Sequence, residues 1–208
     1  MLTLYYTPNS CSLASHLTLE HVGAEYDLVR VDFTANEQRS PAYLKVNPKG
    51  RVPALVTSSG VLTETPAMLQ FIAQTYPNAK LAPLNDTFRL AEMNAFNSYL
   101  CSTVHVAHAH RMRGHRWTDD PAALEAMRKK VPQSVGDSFA LIENQYLRGP
   151  WVLGEQFSTS DCYLLTIARW LEADGVDLAR LPRVLDHRRR MLDLPVVKRV
   201  LGEADAGR

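Results

Sequence analysis

Hydrophobic and polar positions follow two different periods along the chain. Up to about residue 79, short apolar or alternating runs alternate with helical patterns, which predicts the order β-α-β-α-β-β-α. The predicted strands cover Leu2–Tyr6, Tyr26–Phe33, Ala54–Thr57 and Val61–Leu62, and the predicted helices Ser12–His21, Pro41–Val46 and a segment from Glu64 onward. The first strand–helix–strand unit has a short return, so its two strands should be parallel. This order predicts an α/β domain with a small mixed sheet and helices on its faces.

From Phe88 onward the pattern is helical throughout. Met93, Phe96, Leu100 and Val104 recur at three- and four-residue spacing within one long helix, Phe88–Arg113. Further helices are predicted over 121–147, 162–173, 182–192 and 195–201. We therefore expect a first domain over 1–79, a proline-marked linker over 80–87 and an all-α second domain over 88–208.

Two local signals refine the helical half. Pro132 is expected to break or kink the helix over 121–147. Ser158 and Asp161 are spaced as a capping box at a helix start, which favours a structural role for Asp161 over a catalytic one. Substituting either by alanine should cost ~1 kcal/mol.

Composition narrows the classes of function. The 208 residues are 46% hydrophobic, enough for a real core, and the formal net charge is +1, so nothing draws the chain to nucleic acid or an anionic membrane. The amino terminus lacks the basic segment and the long apolar stretch of a signal peptide. No run approaches the ~18 apolar residues of a membrane span. We expect a cytoplasmic protein with no nucleic-acid or membrane partner.

Cys11 is the strongest candidate for chemistry. It lies between the first strand and the first helix, where backbone N–H groups and the helix dipole should lower the thiol pKa from its free value of ~8.5, and Ser10 and Ser12 are candidate caps. The alternative is that Cys11 is a small, partly buried residue that packs like an apolar side chain and does not react. Cys11, Cys101 and Cys162 are widely spaced and form no CxxC motif, so a reacting Cys11 would take its sulfur partner from outside the chain.

Four stretches in order and spacing resemble a cytosolic glutathione S-transferase, most closely the bacterial beta class. They are YYTPNSCSLASH, NPKGRVPAL, LTET and the W-x-x-G-x-x-F-S-x-x-D run that ends at Asp161. The resemblance spans nearly the whole chain. It implies a thioredoxin-like first domain, an all-helical second domain, glutathione as co-substrate, a small hydrophobic electrophile as second substrate, a homodimer and no metal cofactor.

The resemblance also implies site residues. Val52, before a cis Pro53, would pair its backbone with the cysteinyl part of glutathione, while Glu64 and Thr65 would hold the γ-glutamyl end. His105 matches a histidine that approaches the glutathione sulfur. The remaining implied glutathione contacts are Ser98 and Ser102.

The chain departs from the pattern at two places. The loop FTANEQRSP has no lysine for the glycyl carboxylate, although Arg39 could substitute, and Ser98 stands where relatives have asparagine.

Alternatives remain open. Cys101, His105 and His108 have metal-ligand types but lack a fourth ligand. The other histidines considered, His16, His21 and His187, are expected to pack. A non-catalytic or regulatory binding protein on the same fold, or a specialised dehalogenase or isomerase, would share the family motifs.

Overall fold

The computed structural model describes residues 1–205. The first part of the chain contains β1 (Leu2–Tyr6), α1 (Ser12–Val22), β2 (Tyr26–Arg30), α2 (Pro41–Val46), β3 (Ala54–Thr57), β4 (Gly60–Thr63) and α3 (Thr65–Thr75). The rest contains α4 (Thr87–Tyr99), α5 (His105–Arg113), α6 (Pro121–Leu141), α7 (Thr159–Ala168), α8 (Pro182–Asp193) and α9 (Pro195–Asp205). Met1–Leu90 and the segment from Leu192 onward form one structural unit, and Ala91–Met191 forms another.

The strands form one sheet in the order β2-β1-β3-β4. β1 and β2 are parallel, with Leu2 opposite Tyr26, whereas β3 is antiparallel to both β1 and β4. The mixed sheet and the element order confirm the predicted α/β class of the first half. β2 is shorter than predicted, although the N–H of Val31 still donates to the carbonyl of Tyr6 just beyond the ladder.

Each face of the sheet has its own core. On one face, five fully buried side chains from two strands and two helices form a cluster: Leu4, Leu19, Leu55, Met68 and Ile72. Burying each of these contributes about 1.5–3 kcal/mol, so α1 and α3 are held chiefly by this face. Side chains alternate along a strand, and Tyr5, next to Leu4, packs instead against a second cluster: Val31, Tyr43 and Val52.

The last helix belongs to the first unit. α9 packs against α1, where the guanidinium of Arg199 lies 2.5 Å from a carboxylate oxygen of Glu20. The Tyr26 hydroxyl donates to the other oxygen of Glu20 at 2.6 Å. α1 is thus tied both to β2 and to α9.

In the second unit, α4 and α5 are joined by a π-helical segment, Leu100–Val104. The predicted apolar stripe is buried, since Met93, Phe96, Leu100 and Val104 are each at most 2% exposed. Helical character therefore runs from Thr87 to Arg113, one residue earlier at its start than the predicted Phe88. The π segment changes the register of the residues that follow it.

The helix does not break at Pro132, and a kink there, the other outcome expected from the sequence, stays a prediction. α6 runs from Pro121 to Leu141 with Pro132 inside it. A proline in a helix interior costs about 3 kcal/mol. Val131, Val135 and Phe139 are buried around it, and each contributes a comparable gain. Packing of this face outweighs the lost backbone hydrogen bond.

α7 begins with the predicted capping box. The Asp161 carboxylate accepts the Ser158 N–H at 2.8 Å, and the Ser158 side chain caps the N–H of Asp161 in return. α7 ends at Ala168, before the predicted Ala173, and turns lead to α8. The described helices beyond residue 87, with no strand among the named elements there, confirm the all-helical class of the second half. Within residues 1–205, no helix has the length and apolar character needed to cross a bilayer.

Candidate functional site

Cys11 lies at the N-cap position of α1, in the turn that follows β1. Asn9 turns the chain with a φ of 57°, in the left-handed region that asparagine tolerates better than most residues. Ser10 is not the N-cap of α1, which has no side-chain cap hydrogen bond; its hydroxyl lies one position earlier and accepts the Ser12 N–H at 3.2 Å. Ser12 does not cap α1; its hydroxyl accepts the N–H of Thr7 at 3.3 Å.

A cluster of hydroxyl groups fixes the backbone on both sides of Cys11. The carbonyl of Thr7 accepts hydrogen bonds from Ser10 Oγ at 2.8 Å and from Ser12 Oγ at 3.1 Å. The two serine hydroxyls are 2.6 Å apart and both residues are buried. Cys11 itself is partly exposed. The turn therefore presents the thiol from a rigid frame.

The thiol of Cys11 lies against Val52. Its Sγ is 3.5 Å from the Val52 carbonyl oxygen, and the following Val52-Pro53 peptide bond is cis. Pairing of β3 with β1 begins only at Ala54, so Val52 stands just outside the strand ladder. The structure thus brings together three of the residues singled out in the sequence: Cys11, Val52 and Pro53.

The turn that leads into Val52 is tied to α2. The Arg51 carbonyl accepts the Tyr43 hydroxyl at 2.7 Å and the Asn47 side-chain amide at 2.6 Å. Burial is the main factor that raises the pKa of Tyr43 to about 12, so its hydroxyl keeps its proton at neutral pH. Neither residue is predicted from the sequence; the only signal for Asn47 is its place at the start of the turn Asn-Pro-Lys-Gly.

Glu64 has a strained backbone at the start of α3. It is the N-cap residue, and its φ of 71° and ψ of 116° define a conformation that residues other than glycine rarely adopt. Its carboxylate lies 2.5 Å from the Nζ of Lys49, and that ammonium also donates to the Thr63 hydroxyl at 2.7 Å. Thr65 follows as the first residue of α3 and is buried. Lys49 is not predicted from the sequence as a site residue.

Arg39 lies beside Gly50, in the turn that leads into Val52. A Cβ placed on Gly50, whose φ is 60°, would lie 3.0 Å from Arg39 Nη1 and 2.8 Å from the Gln38 carbonyl oxygen. Glycine is therefore required at position 50 both for its conformation and for the close approach of the loop before α2.

The predicted residues of the second unit lie around the π segment. Ser98 and Ser102 are exposed, and the His105 ring packs 5.0 Å from the ring of Trp170. His108 stacks on the same tryptophan, with ring centroids 4.2 Å apart. Both histidines therefore share one aromatic neighbour.

His108 is held by a buried carboxylate. Its Nδ1 is 2.8 Å from Asp174, whose side chain is 1% exposed, and Arg111 Nε lies 3.2 Å from the same carboxylate. The sequence does not predict the contact of His108 with Asp174, because the two residues are 66 positions apart. Among the described residues, no group of three or more His, Cys, Asp or Glu is arranged to hold a metal ion.

Two other histidines are buried in the packing of their units. His16 lies between the rings of Tyr6 and Tyr26, at 6.0 and 5.9 Å. Its Nε2 has no hydrogen-bond partner, and burial lowers the pKa of His16 below its usual value, against the raising effect of Glu20. His187 Nε2 is 3.0 Å from Asp161.

Comparison with known proteins matches both halves of the chain to domains of one family. The family model "Glutathione S-transferase, N-terminal domain" matches residues 1–74, and "Glutathione S-transferase, C-terminal domain" matches residues 121–190. Glutathione S-transferase GstA of Escherichia coli O157:H7 is 32% identical over 201 residues, covering 95% of this chain and 96% of that protein.

Solved structures agree. A glutathione transferase homologue from Sulfitobacter with bound glutathione has a TM-score of 0.94 at 43% identity, covering 98% of each chain. A bacterial beta-class glutathione S-transferase from Sphingomonas chungbukensis has a TM-score of 0.84 at 30% identity, covering 97% of this chain and 98% of that one. The resemblance seen in the sequence is thereby confirmed: this chain belongs to the glutathione S-transferase family.

Proposed function

We propose that this protein binds reduced glutathione on residues 1–79 and transfers it to small hydrophobic electrophiles, or exchanges thiol for disulfide through Cys11. The observation that carries the proposal is the 3.5 Å contact between Cys11 Sγ and the Val52 carbonyl at the start of α1. It puts a thiol beside backbone that a peptide-like ligand can pair with. The Sulfitobacter homologue, which holds glutathione, supports this ligand.

Each proposed contact has a chemical reason. Val52, which lies outside the ladder, offers an N–H and a carbonyl to the cysteinyl part of glutathione, and the cis Pro53 follows it. At the other end of the tripeptide, the half-exposed Glu64 carboxylate meets the ammonium group, while the start of α3 with Thr65 holds the γ-glutamyl carboxylate.

Residues 88–208 supply the remaining proposed groups. His105 is the second catalytic residue, and Ser98 and Ser102 are polar contacts for glutathione, all three assigned from the family resemblance. The partial exposure of His105 and the exposure of both serines support these roles. The electrophile is small and hydrophobic, and the family role is detoxification.

The thiol chemistry balances without a further oxidant. The Cys11 thiolate attacks the glutathionyl sulfur of a small mixed disulfide of glutathione, which forms a Cys11–glutathione mixed disulfide and releases the other half of the substrate as a thiolate. A glutathione thiolate then attacks the Cys11–glutathione mixed disulfide, which regenerates the Cys11 thiolate and forms glutathione disulfide. In conjugation, the glutathione thiolate attacks the electrophile and Cys11 stays a neighbouring thiol.

Assembly and location are part of the proposal. We place the protein in the cytoplasm as a homodimer. The three cysteines form no disulfide within the described residues, which fits a reducing compartment. Light scattering of the purified protein tests the dimer directly, and a mass of a single chain of 23.3 kDa would contradict it.

The deciding experiment combines binding with turnover. Calorimetry should detect reduced glutathione, and assays with chlorodinitrobenzene and with a small mixed disulfide of glutathione should detect conjugation or exchange. No binding and no turnover in either assay would overturn the proposal. Binding without turnover would favour a non-catalytic protein, and turnover confined to haloalkanes or cis-trans isomerisation would favour a specialised enzyme.

A further inference from the structure

The Arg51 carbonyl receives two side-chain donors, one from α2 and one from the residue that follows it. Tyr43, in α2, donates its hydroxyl at 2.7 Å, and Asn47, which follows α2, donates its amide at 2.6 Å. Tyr43 is 5% exposed and Asn47 is 1% exposed, so water competes little for either bond. A carbonyl oxygen has two lone pairs, and here both donors approach it.

Both donors are themselves held in place. The Asn47 N–H donates to the Tyr43 carbonyl at 2.8 Å, and the Asn47 side-chain oxygen accepts the Lys49 N–H at 3.1 Å. The Tyr43 ring packs 5.6 Å from the ring of Tyr5 in β1. Because the pKa of Tyr43 is about 12, its hydroxyl is a donor throughout the physiological range. The direction of the Arg51 carbonyl is therefore set by α2 and the sheet.

Peptide planarity carries this direction to the next residue. The Arg51 carbonyl and the Val52 N–H belong to one peptide unit, and in a trans peptide they point in opposite directions. A carbonyl anchored toward Tyr43 and Asn47 therefore turns the Val52 N–H away from α2. The Val52 carbonyl belongs to the next peptide unit, where the Cys11 thiol contacts it.

We propose that Tyr43 and Asn47 are positioning residues that aim the Val52 N–H at the cysteinyl carbonyl of glutathione through the Arg51 peptide. This inference rests on the proposed function, because it needs glutathione to pair with Val52. Neither side chain touches glutathione in this scheme. Their effect is on the affinity for glutathione and not on the reactivity of the bound thiol.

The direct readout is the orientation of the Val52 N–H. In the full-length protein, the residual dipolar coupling of the Val52 amide should change in Tyr43→Phe, which removes only the hydroxyl, and in Asn47→Asp, which keeps the acceptor for Lys49. Tyr99→Phe is the matched control, since the Tyr99 hydroxyl also donates to a backbone carbonyl, that of Ser138 at 3.2 Å, in the other unit. Its Val52 coupling should equal that of the wild type.

The functional readout is the split between KM and kcat. Tyr43→Phe and Asn47→Asp should raise KM for glutathione by about fivefold, as expected for one lost hydrogen bond, with kcat within about twofold of wild type. Tyr99→Phe should change neither. A merely structural role would lower the folded fraction, which scales kcat and leaves KM unchanged.

The outcomes separate this inference from the proposed function. Wild-type protein that binds no glutathione overturns the function, while the Val52 coupling still tests the positioning. Normal binding by wild type together with an unchanged Val52 coupling and an unchanged KM in both variants overturns the positioning alone. Should Tyr43→Phe fail to fold, Asn47→Asp provides the same two measurements.

Discussion

The Sγ of Cys11 lies 3.5 Å from the carbonyl oxygen of Val52, a residue 41 positions away in the chain. A carbonyl accepts a hydrogen bond only from the protonated thiol, so this contact favours the thiol form. The N-terminus of α1 acts in the opposite sense and favours the thiolate. A ligand that hydrogen-bonds to the Val52 carbonyl in place of Cys11 would remove the contact that favours the thiol. The effect of the α1 N-terminus, which favours the thiolate, would remain.

The first prediction concerns the sulfur acceptor. After exposure to glutathione disulfide, intact mass spectrometry should find one glutathionyl group on the wild type and none on Cys11→Ser, because Cys11 is the thiol at the helix start. Cys101→Ser, which alters another partly exposed thiol, should still carry the adduct. An adduct on Cys11→Ser would show that another cysteine is the acceptor.

The second prediction concerns the strained Glu64. Glu64→Gly should leave the free energy of unfolding unchanged or raise it by about 1 kcal/mol, because glycine accepts a φ of 71° without strain. The ion pair lost with Lys49 is half exposed and worth about 0–1 kcal/mol. Glutathione affinity should nevertheless fall about tenfold, since a charged contact is lost. Urea unfolding and calorimetry measure the two quantities.

Glu64→Gln is the matched control. It keeps the strained backbone and removes only the charge, so glutathione affinity should fall without any gain in stability. If Glu64→Gln binds glutathione as tightly as the wild type, the Glu64 carboxylate does not contact the ammonium group of glutathione.

The third prediction concerns the buried carboxylate of Asp161. It accepts the N–H groups of Val152 and Ser158 at 2.8 Å each, and His187 Nε2 lies 3.0 Å away. Asp161→Ala should therefore lower the free energy of unfolding by about 3–5 kcal/mol, well above the ~1 kcal/mol of a cap alone, because several buried donors lose their partner.

Ser158→Ala should cost only about 1 kcal/mol, because it removes one cap and leaves the carboxylate in place. The exposed Asp119→Ala should change little. Urea unfolding provides all three values, and equal losses for Asp161→Ala and Ser158→Ala would contradict a wider role for Asp161 than the capping box.

The fourth prediction concerns pH and His16. Burial lowers the pKa of His16 in the folded state, so the unfolded chain takes up a proton more readily. The stability that His16 contributes is complete above its unfolded pKa of ~6.5 and is lost as the pH falls below that value toward the lowered folded pKa. His16→Phe should flatten the loss of stability that begins as the pH falls below about 6.5.

The exposed histidine His115 provides the control for this measurement. His115→Gln should keep the wild-type slope of unfolding free energy against pH. A wild-type slope in His16→Phe would assign the acid sensitivity to another group.

Local patterns were enough for most of the fold. Neighbours within a few residues determine the capping box at Ser158, the order of strands and helices in the first half, and the helical period from Thr87 to Arg113. Pro132 is the exception, because its local preference was overridden by the burial of Val131 and Phe139.

The sequence by itself therefore determined the α/β and all-helical halves, the family and the place of Cys11 at a helix start. The tertiary structure alone decided that the Cys11 thiol meets the Val52 carbonyl, that Glu64 pairs with Lys49, and that His108 is held by Asp174. The physical reason is distance along the chain: hydrophobic periodicity is written in adjacent residues, whereas these contacts join segments that meet only after the sheet and helices have packed.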